Sequence, residues 1–348
     1  MTVRLPLTYR RGYHWYSVFL AGCTLLLLIA GGLVTSTGSG LAVPDWPLSY
    51  GMLMPPMVGG IFYEHGHRMI ASTVGLLTVI QFLWIVRTES RRWVRWLSGL
   101  ALGSVVLQGV LGGLTVLFLL PTAISASHAT LAQTFFCMVA TIAVVTSRWW
   151  LDKRTDQVRS HQWRILLRFG AAAVLAVYLQ LILGAVMRHM DAGLAVPDFP
   201  YAYGQIVPSL SDESLNSYNQ QLIHQDIRLA ADGAITANQI FVHMAHRFWS
   251  IIAVTTVLLF ARKAYRAGSQ EPRLRVLASI LAIDILIQFG LGALTVLTRK
   301  SVLIATAHQT NGALILMTCV VASVHVARMI SWNRPAREFA LQANGVVA

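Results

Sequence analysis

Residues 64–86 read EHGHRMIASTVGLLTVIQFLWIV: a carboxylate, two imidazoles and a guanidinium, followed by 18 residues without a charge. An uncharged run of that length crosses the hydrocarbon core of a bilayer as a helix. The cluster Glu64-His65-Gly66-His67-Arg68 is therefore expected at one end of a membrane helix. Ionisable groups at that depth are costly unless paired or bound, so they point to function. Glu64 and His67 are three apart and share a helix face, whereas His65 points elsewhere. The chain repeats the pattern, with His243-Met244-Ala245-His246-Arg247 opening a second apolar run. Two further runs open on His128 and His308.

The rest of the composition agrees with a polytopic membrane protein. Of 348 residues, 55% are hydrophobic and 12% charged, with a mean hydropathy of +0.60. A soluble chain carries about 25% charged residues. The net charge of +13 sits in short loops between apolar runs, without a basic stripe or aromatic platform, which argues against nucleic acid. Cys23, Cys137 and Cys319 lie in separate apolar runs and read as small buried hydrophobes. The first apolar run follows Arg4, Arg10 and Arg11 as a signal peptide would. It is too long for one and lacks a small-residue cleavage site, so it reads as a retained span.

Eight runs of spanning length fall at 16–36, 66–86, 97–118, 126–147, 168–188, 241–261, 276–297 and 303–327. Counting Lys and Arg between them places 21 of 27 on one side, which the positive-inside rule makes cytoplasmic. Both termini are then inside. The other side holds Arg68, Arg188, Arg228, Arg247, Arg299 and Lys300. The expectation is an all-α integral membrane protein with cytoplasmic segments at 1–15, 148–167 and 328–348. Its two four-helix halves would span 16–147 and 168–327.

The halves resemble each other. SGLAVPDWPLSYG at 39–51 recurs as AGLAVPDFPYAYG at 192–204, identical at 9 of 13 positions. QGVLGGLTVL at 108–117 recurs as QFGLGALTVL at 288–297, identical at 7 of 10. Four helices per half give both copies one orientation, so the repeat is parallel, about an axis near the membrane normal. Each GLAVPD segment contains two prolines that forbid continuous helix, and Trp46 or Phe199 suits an interfacial lid folded over the helix ends. The second outer loop is longer. Its residues 205–239 are polar, and Leu222, Ile223, Ile227 and Leu229 allow a short surface helix as readily as a solvated loop.

A lone intramembrane histidine is most simply a structural residue. Four at matching places, His67, His128, His246 and His308, ask for a common ligand. Facing imidazoles from two helices of a bundle hold haem iron axially, so two haem sites are expected, His67 with His128 and His246 with His308. No cysteine or carboxylate cluster accompanies them to suit zinc, copper or di-iron. Gly109, Gly112, Gly113, Gly290 and Gly292 let backbones approach something flat, though helix packing explains them equally well. Arg68, Arg247, Arg299 and Lys300 lie at the right level for haem propionates. Glu64 aligns with His243, so only the first half has a carboxylate there. It suits proton transfer or stabilisation of positive charge on a substrate carbon, or merely a favourable helix N-terminus.

Glu64-x-x-His67-Arg68, His128 in SHATLAQ, His246-Arg247 and His308 in AHQT, with the duplicated layout, resemble the haem A synthase family over residues 15–330. The resemblance implies that haem O is oxidised at its C8 methyl to the formyl of haem A for cytochrome oxidase. Substrate haem O and product haem A would occupy the first half at Glu64, His67 and His128. Haem b would sit on His246 and His308 as an electron-passing cofactor. It further implies the cytoplasmic (inner) membrane, delivery from the haem O synthase farnesyltransferase, and an electron donor not identified by any motif, while the Lys and Arg topology itself puts the four histidines near the outer face. Residues 37–63 and 189–239 contain no cysteine, unlike many bacterial members, which places the chain in a cysteine-less branch. The sequence leaves oligomeric state open, a homo-oligomer included. A competing reading is a di-haem b-type electron-transfer cytochrome. A haem-free transporter would need broken helices and midplane charge, and only Asp284 offers the latter.

Overall fold

The computed structural model describes residues 9–152, 160–227 and 234–330. Among them are ten α-helices: α1 (Arg11–Ser36), α2 (Gly59–Thr88), α3 (Arg92–Leu117), α4 (Thr122–Val145), α5 (Arg148–Asp152), α6 (Ser160–His189), α7 (Asp212–His224), α8 (Ala237–Ala267), α9 (Pro272–Leu297) and α10 (Val302–Met329). Eight of these, all but α5 and α7, are long and apolar enough to cross a membrane. Each exceeds the apolar run that announced it, because flanking charged and aromatic residues continue the helix into the interface. One consequence corrects the sequence reading. Glu64 does not open its helix but lies in the second turn of α2, and His243 lies at the same depth in α8.

Local chemistry sets the ends. Thr236 and Gln239 form a reciprocal capping box on α8, and Pro272 starts α9, where its missing N–H costs nothing. The α3–α4 turn places Leu119 and Leu120 at φ 58° and 60°, and the α9–α10 turn places Arg299 and Lys300 at 54° and 63°. Left-handed backbone costs a non-glycine residue about 1 kcal/mol or more. In each turn a bond back into the preceding helix offsets this cost, from Leu120 N to Thr115 O at 2.7 Å and from Lys300 N to Thr295 O at 2.8 Å.

Within the first half, α1 packs on α2, α2 on α3, α3 on α4 and α4 on α1. In the second half, α6, α8, α9 and α10 pack in the same cyclic order. Across the seam α1 meets α10, α4 meets α6, and α4 meets α10. Each half has its own core, around Leu20, Val74, Val139 and Ile142 in one and Phe260, Leu281 and Leu316 in the other. Leu28, Phe136 and Ala313 pack together across the seam. Cys319 is buried in the second core with Cys137 against it, as small hydrophobes. Leu100, Ile251 and Leu286 point outward and more than half exposed, as side chains facing lipid do.

The long loop between α6 and α8 contains a helix. In α7 the Ser211 side chain accepts from Ser214 N, and Tyr218 and Leu222 are buried on one face. Ile227 joins them in the same cluster, while Ile223 points to solvent. Leu229 and Arg228 lie outside the described residues.

Candidate functional site

Both GLAVPD segments fold back over the helix ends as lids of one design. In the first, Asp45 accepts from the backbone N–H groups of Tyr50 and Gly51 at 2.6 and 2.8 Å, and the Tyr50 hydroxyl donates to Ala42 O at 2.7 Å. In the second, Asp198 accepts from Tyr203 and Gly204 at 2.8 and 3.0 Å, and the Tyr203 hydroxyl donates to Ala195 O at 2.8 Å. The Gly51 N–H first, then that of Tyr50 with the nearby Arg68, holds the Asp45 carboxyl below its ordinary range. An arginine then clamps each lid to its helix. Arg68 donates to Asp45 O at 2.8 Å and Leu48 O at 2.9 Å. Arg247 donates to Tyr201 O, Val196 O and Asp198 O at 2.9, 3.0 and 2.8 Å. Trp46 lies over Gly113, where an added Cβ would come within 2.7 Å of the indole.

Below the lids the four histidines each abut a glycine of a neighbouring helix. An added Cβ would approach the imidazole Cε1 to 3.1 Å at Gly31 for His67, 3.2 Å at Gly112 for His128, 3.1 Å at Gly184 for His246 and 3.1 Å at Gly292 for His308. The Nδ1 atoms of His67, His128 and His308 are buried without a hydrogen-bond partner. Gln108 and Gln288 each donate to the backbone carbonyl of the histidine beside them, His128 at 2.9 Å and His308 at 3.1 Å.

The donor chemistry fits haem. Among the described residues no three His, Cys, Asp or Glu side chains converge as a metal site, so an ion bound by a pair of imidazoles must bring further ligands. A porphyrin brings four. Buried imidazole nitrogens without partners carry a cost that a bound ligand would remove.

The halves differ beside the histidines. Glu64 is 4% exposed, accepts from Val43 N at 2.8 Å and pairs with Arg68 at 2.6 Å. Its counterpart His243 is instead within 2.9 Å of Ala192 O through Nδ1. His65 Nδ1 and Ser49 Oγ lie 2.8 Å apart, whereas the aligned positions are Met244 and Ala202. Among the described residues only the second half has an amide against its ring: Gln180 Nε2 is 3.2 Å from both Nδ1 and Nε2 of His246 and 3.1 Å from its carbonyl. The position aligned with Gln180 is Leu27. The second half also has Asn311, which bridges Gln288 Oε1 and Asp284 O at 2.9 Å each.

Several of these partners were not singled out by sequence reasoning. Gly31 and Gly184 share the 153-residue offset of the lids, a signal that could have found them. Of the suggested glycines, Gly112, Gly113 and Gly292 make the close approaches, while Gly109 and Gly290 face open space. Lys300 is half-buried, and burial, then neighbouring Arg188, push its ammonium below the ordinary lysine value against the opposing pull of Asp191. Arg299 is exposed.

Residues 58–320 match the COX15-CtaA family, described as cytochrome oxidase assembly protein. The chain is similar to the Heme A synthase of Lysinibacillus sphaericus, at 26% identity over 86% of this chain and 91% of that protein. It is 29% identical to the Heme A synthase of Symbiobacterium thermophilum over 77% of this chain and 81% of that protein. The Heme A synthase of Cereibacter sphaeroides aligns at 25% identity over 91% and 88%. A family match covering most of the length, on an eight-span helical fold, assigns the chain: it belongs to the cytochrome oxidase assembly protein family.

Proposed function

We propose that this protein is a haem A synthase, a membrane oxidoreductase that converts the C8 methyl of haem O to the formyl of haem A. The observation that carries the reading is the fourfold seat, in which each membrane histidine abuts a glycine of the adjacent helix. When bound, each haem supplies the redox chemistry and four of its iron's six ligands.

In this reading His67 and His128 orient haem O, and His246 and His308 hold a resident haem b. Glu64, one turn from His67, holds negative charge or moves a proton beside the methyl. Arg68 and Val43 fix its carboxylate in place beforehand. Arg68 and Arg247 already give N–H groups to lid carbonyls, so propionates would meet only their remaining donors. Arg299 and Lys300, the latter packed against Gly193 of the second lid, complete the propionate set.

The equivalent helix contacts and lid bonds support a parallel pseudo-two-fold arrangement of the halves. The Lys and Arg count supports both termini in the cytoplasm, a place in the inner membrane and haem sites near the outer face. Haem O would come from the farnesyltransferase that makes it, and electrons from a separate donor.

Haem extraction and chromatography of the purified protein test the reading. Haem b together with haem O or haem A is the expected result. Two equivalents of haem b, with no conversion when haem O synthase is co-expressed, would make the protein an electron-transfer cytochrome instead. Replacing His246 with Ala should deplete haem b alone; equal loss of both haems would overturn the two-site assignment.

A further inference from the structure

The two lids share sequence and internal bonds, yet among the described residues only the second is covered by a further helix. Over the second lid lies α7, with Tyr218 stacked on Tyr203 at 3.7 Å between centroids and 9° between planes. Tyr218, Leu222, Ile227 and Ile235 form one buried cluster with Leu194, Ala195, Val196 and Ala202 of the lid. Asn219 Oδ1 accepts from Ile235 N at 2.6 Å and closes the far side of the loop. The first lid connects to its helix through residues 52–58 alone, too few for such an element. Leu41 is accordingly 40% exposed where its counterpart Leu194 is 6% exposed. Tyr50 is 49% exposed and Leu53 85% exposed on the same uncovered surface.

Opening a lid breaks its clamp and its packing, and release of whatever lies beneath is slower the more surface must separate. We infer that the bare first lid, residues 41–54, is the port through which the substrate porphyrin enters and the product leaves. By the same comparison α7 is the bolt that keeps the second porphyrin resident. The inference rests on the proposed function only for which porphyrin is substrate. It assigns Tyr218 and Leu222 as positioning residues that act through the second lid.

The test uses the full-length protein carrying both haems, mixed with excess apo-globin as scavenger, and follows each haem's loss by its own absorption band. In the wild type the first-half haem should leave faster. Tyr218→Ala with Leu222→Ala should speed loss from the second half on the order of tenfold and leave the first-half rate unchanged. Tyr218→Phe should keep the slow rate, because the Tyr218 hydroxyl is buried without a partner and only the ring packs. Equal release from both halves of the wild type, an unchanged second-half rate in the double variant, or acceleration by Tyr218→Phe would each overturn the inference. Finding only haem b in both sites would defeat the synthase reading; total haem loss should then be biphasic, with only the slow phase speeded in the double variant, and a single phase would overturn the bolt.

Discussion

The backbone N–H of Val43 donates to Glu64 Oε2 at 2.8 Å, so the first half's own carboxylate is also the post on which its lid hangs. Arg68 joins the two functions, since it pairs with Glu64 at 2.6 Å and donates to lid carbonyls on the same side chain. In the second half Arg247 clamps the lid in the same way with His243, not a carboxylate, at the place aligned with Glu64. A lid therefore does not need a carboxylate from its helix, and the presence of Glu64 where substrate is proposed to bind calls for a separate explanation.

Two replacements of Glu64 separate anchoring from chemistry. Glu64→Gln keeps an oxygen for Val43 N–H and should retain bound haem while formyl product is lost. Glu64→Ala leaves Arg68 largely buried without its partner, and breaking a buried pair costs about 3 kcal/mol. It should lower the thermal midpoint and loosen the lid as well. Extracted haem A and the unfolding midpoint read the two effects; full haem A yield from the Gln variant would remove Glu64 from the reaction.

The histidine seats predict four site-specific defects. A methyl group at Gly31, Gly112, Gly184 or Gly292 would stand 3.1–3.2 Å from an imidazole carbon, so the ring must move by a few tenths of an ångström. Gly112→Ala should weaken haem in the first half only, and Gly292→Ala in the second only. Gly109→Ala and Gly290→Ala face open space and serve as controls, with helix propensity itself gaining about 1 kcal/mol. Haem content per site, resolved by absorption, decides the matter. Equal losses in seat and control variants would mean that the glycines act only in helix packing.

How much of this was legible in the chain follows from which forces are local. The eight spans follow from apolar length, which a single helix displays by itself. The helix in the loop between α6 and α8 was one of two equal readings, and of the residues that suggested it only Leu222 and Ile223 lie within α7. The ends were misjudged because interfacial residues such as Tyr63 and Arg266 sit well in a helix and carry no stop signal. The glycine opposite each histidine depends on how two helices are rotated against each other. No single helix records that, and only the shared offset of Gly31 and Gly184 hinted at it. Arg68 and Arg247 read as anion partners because their own acceptors, lid carbonyls, are present in every peptide and leave no mark in sequence.

Gln180 is expected to tune the second site. Its Nε2 lies 3.2 Å from His246 Nδ1, and its Oε1 is buried without a partner. Turned about, the amide presents that oxygen to an imidazole N–H, the arrangement that orients metal-bound histidines and raises their basicity. Gln180→Leu installs the first half's residue at the aligned place, Leu27. The second-half haem should remain bound while its reduction potential rises by roughly tens of millivolts, since a more basic ligand favours the ferric state. A redox titration in which both haems keep their wild-type midpoints would exclude the role.

Acid should loosen the first lid through Asp45. Its carboxylate accepts the N–H groups of Tyr50 and Gly51, whose backbones lie at φ 54° and 69°. Those bonds, led by that from Gly51, lower its folded pKa, so the stabilisation is complete above the ordinary carboxylate value, about 3.9. It is lost as pH falls through the depressed folded value, because the protonated group no longer attracts both donors as an anion. Amide protection factors at Tyr50 and Gly51 should therefore hold steady from neutral pH down to about 4 and fall below it. Asp45→Asn removes the titrating group and should give weaker protection that no longer varies across the window. A wild-type protein whose protection stays level into the lower range, or an Asn variant with the same acid-dependent fall, would show that another group controls the lid.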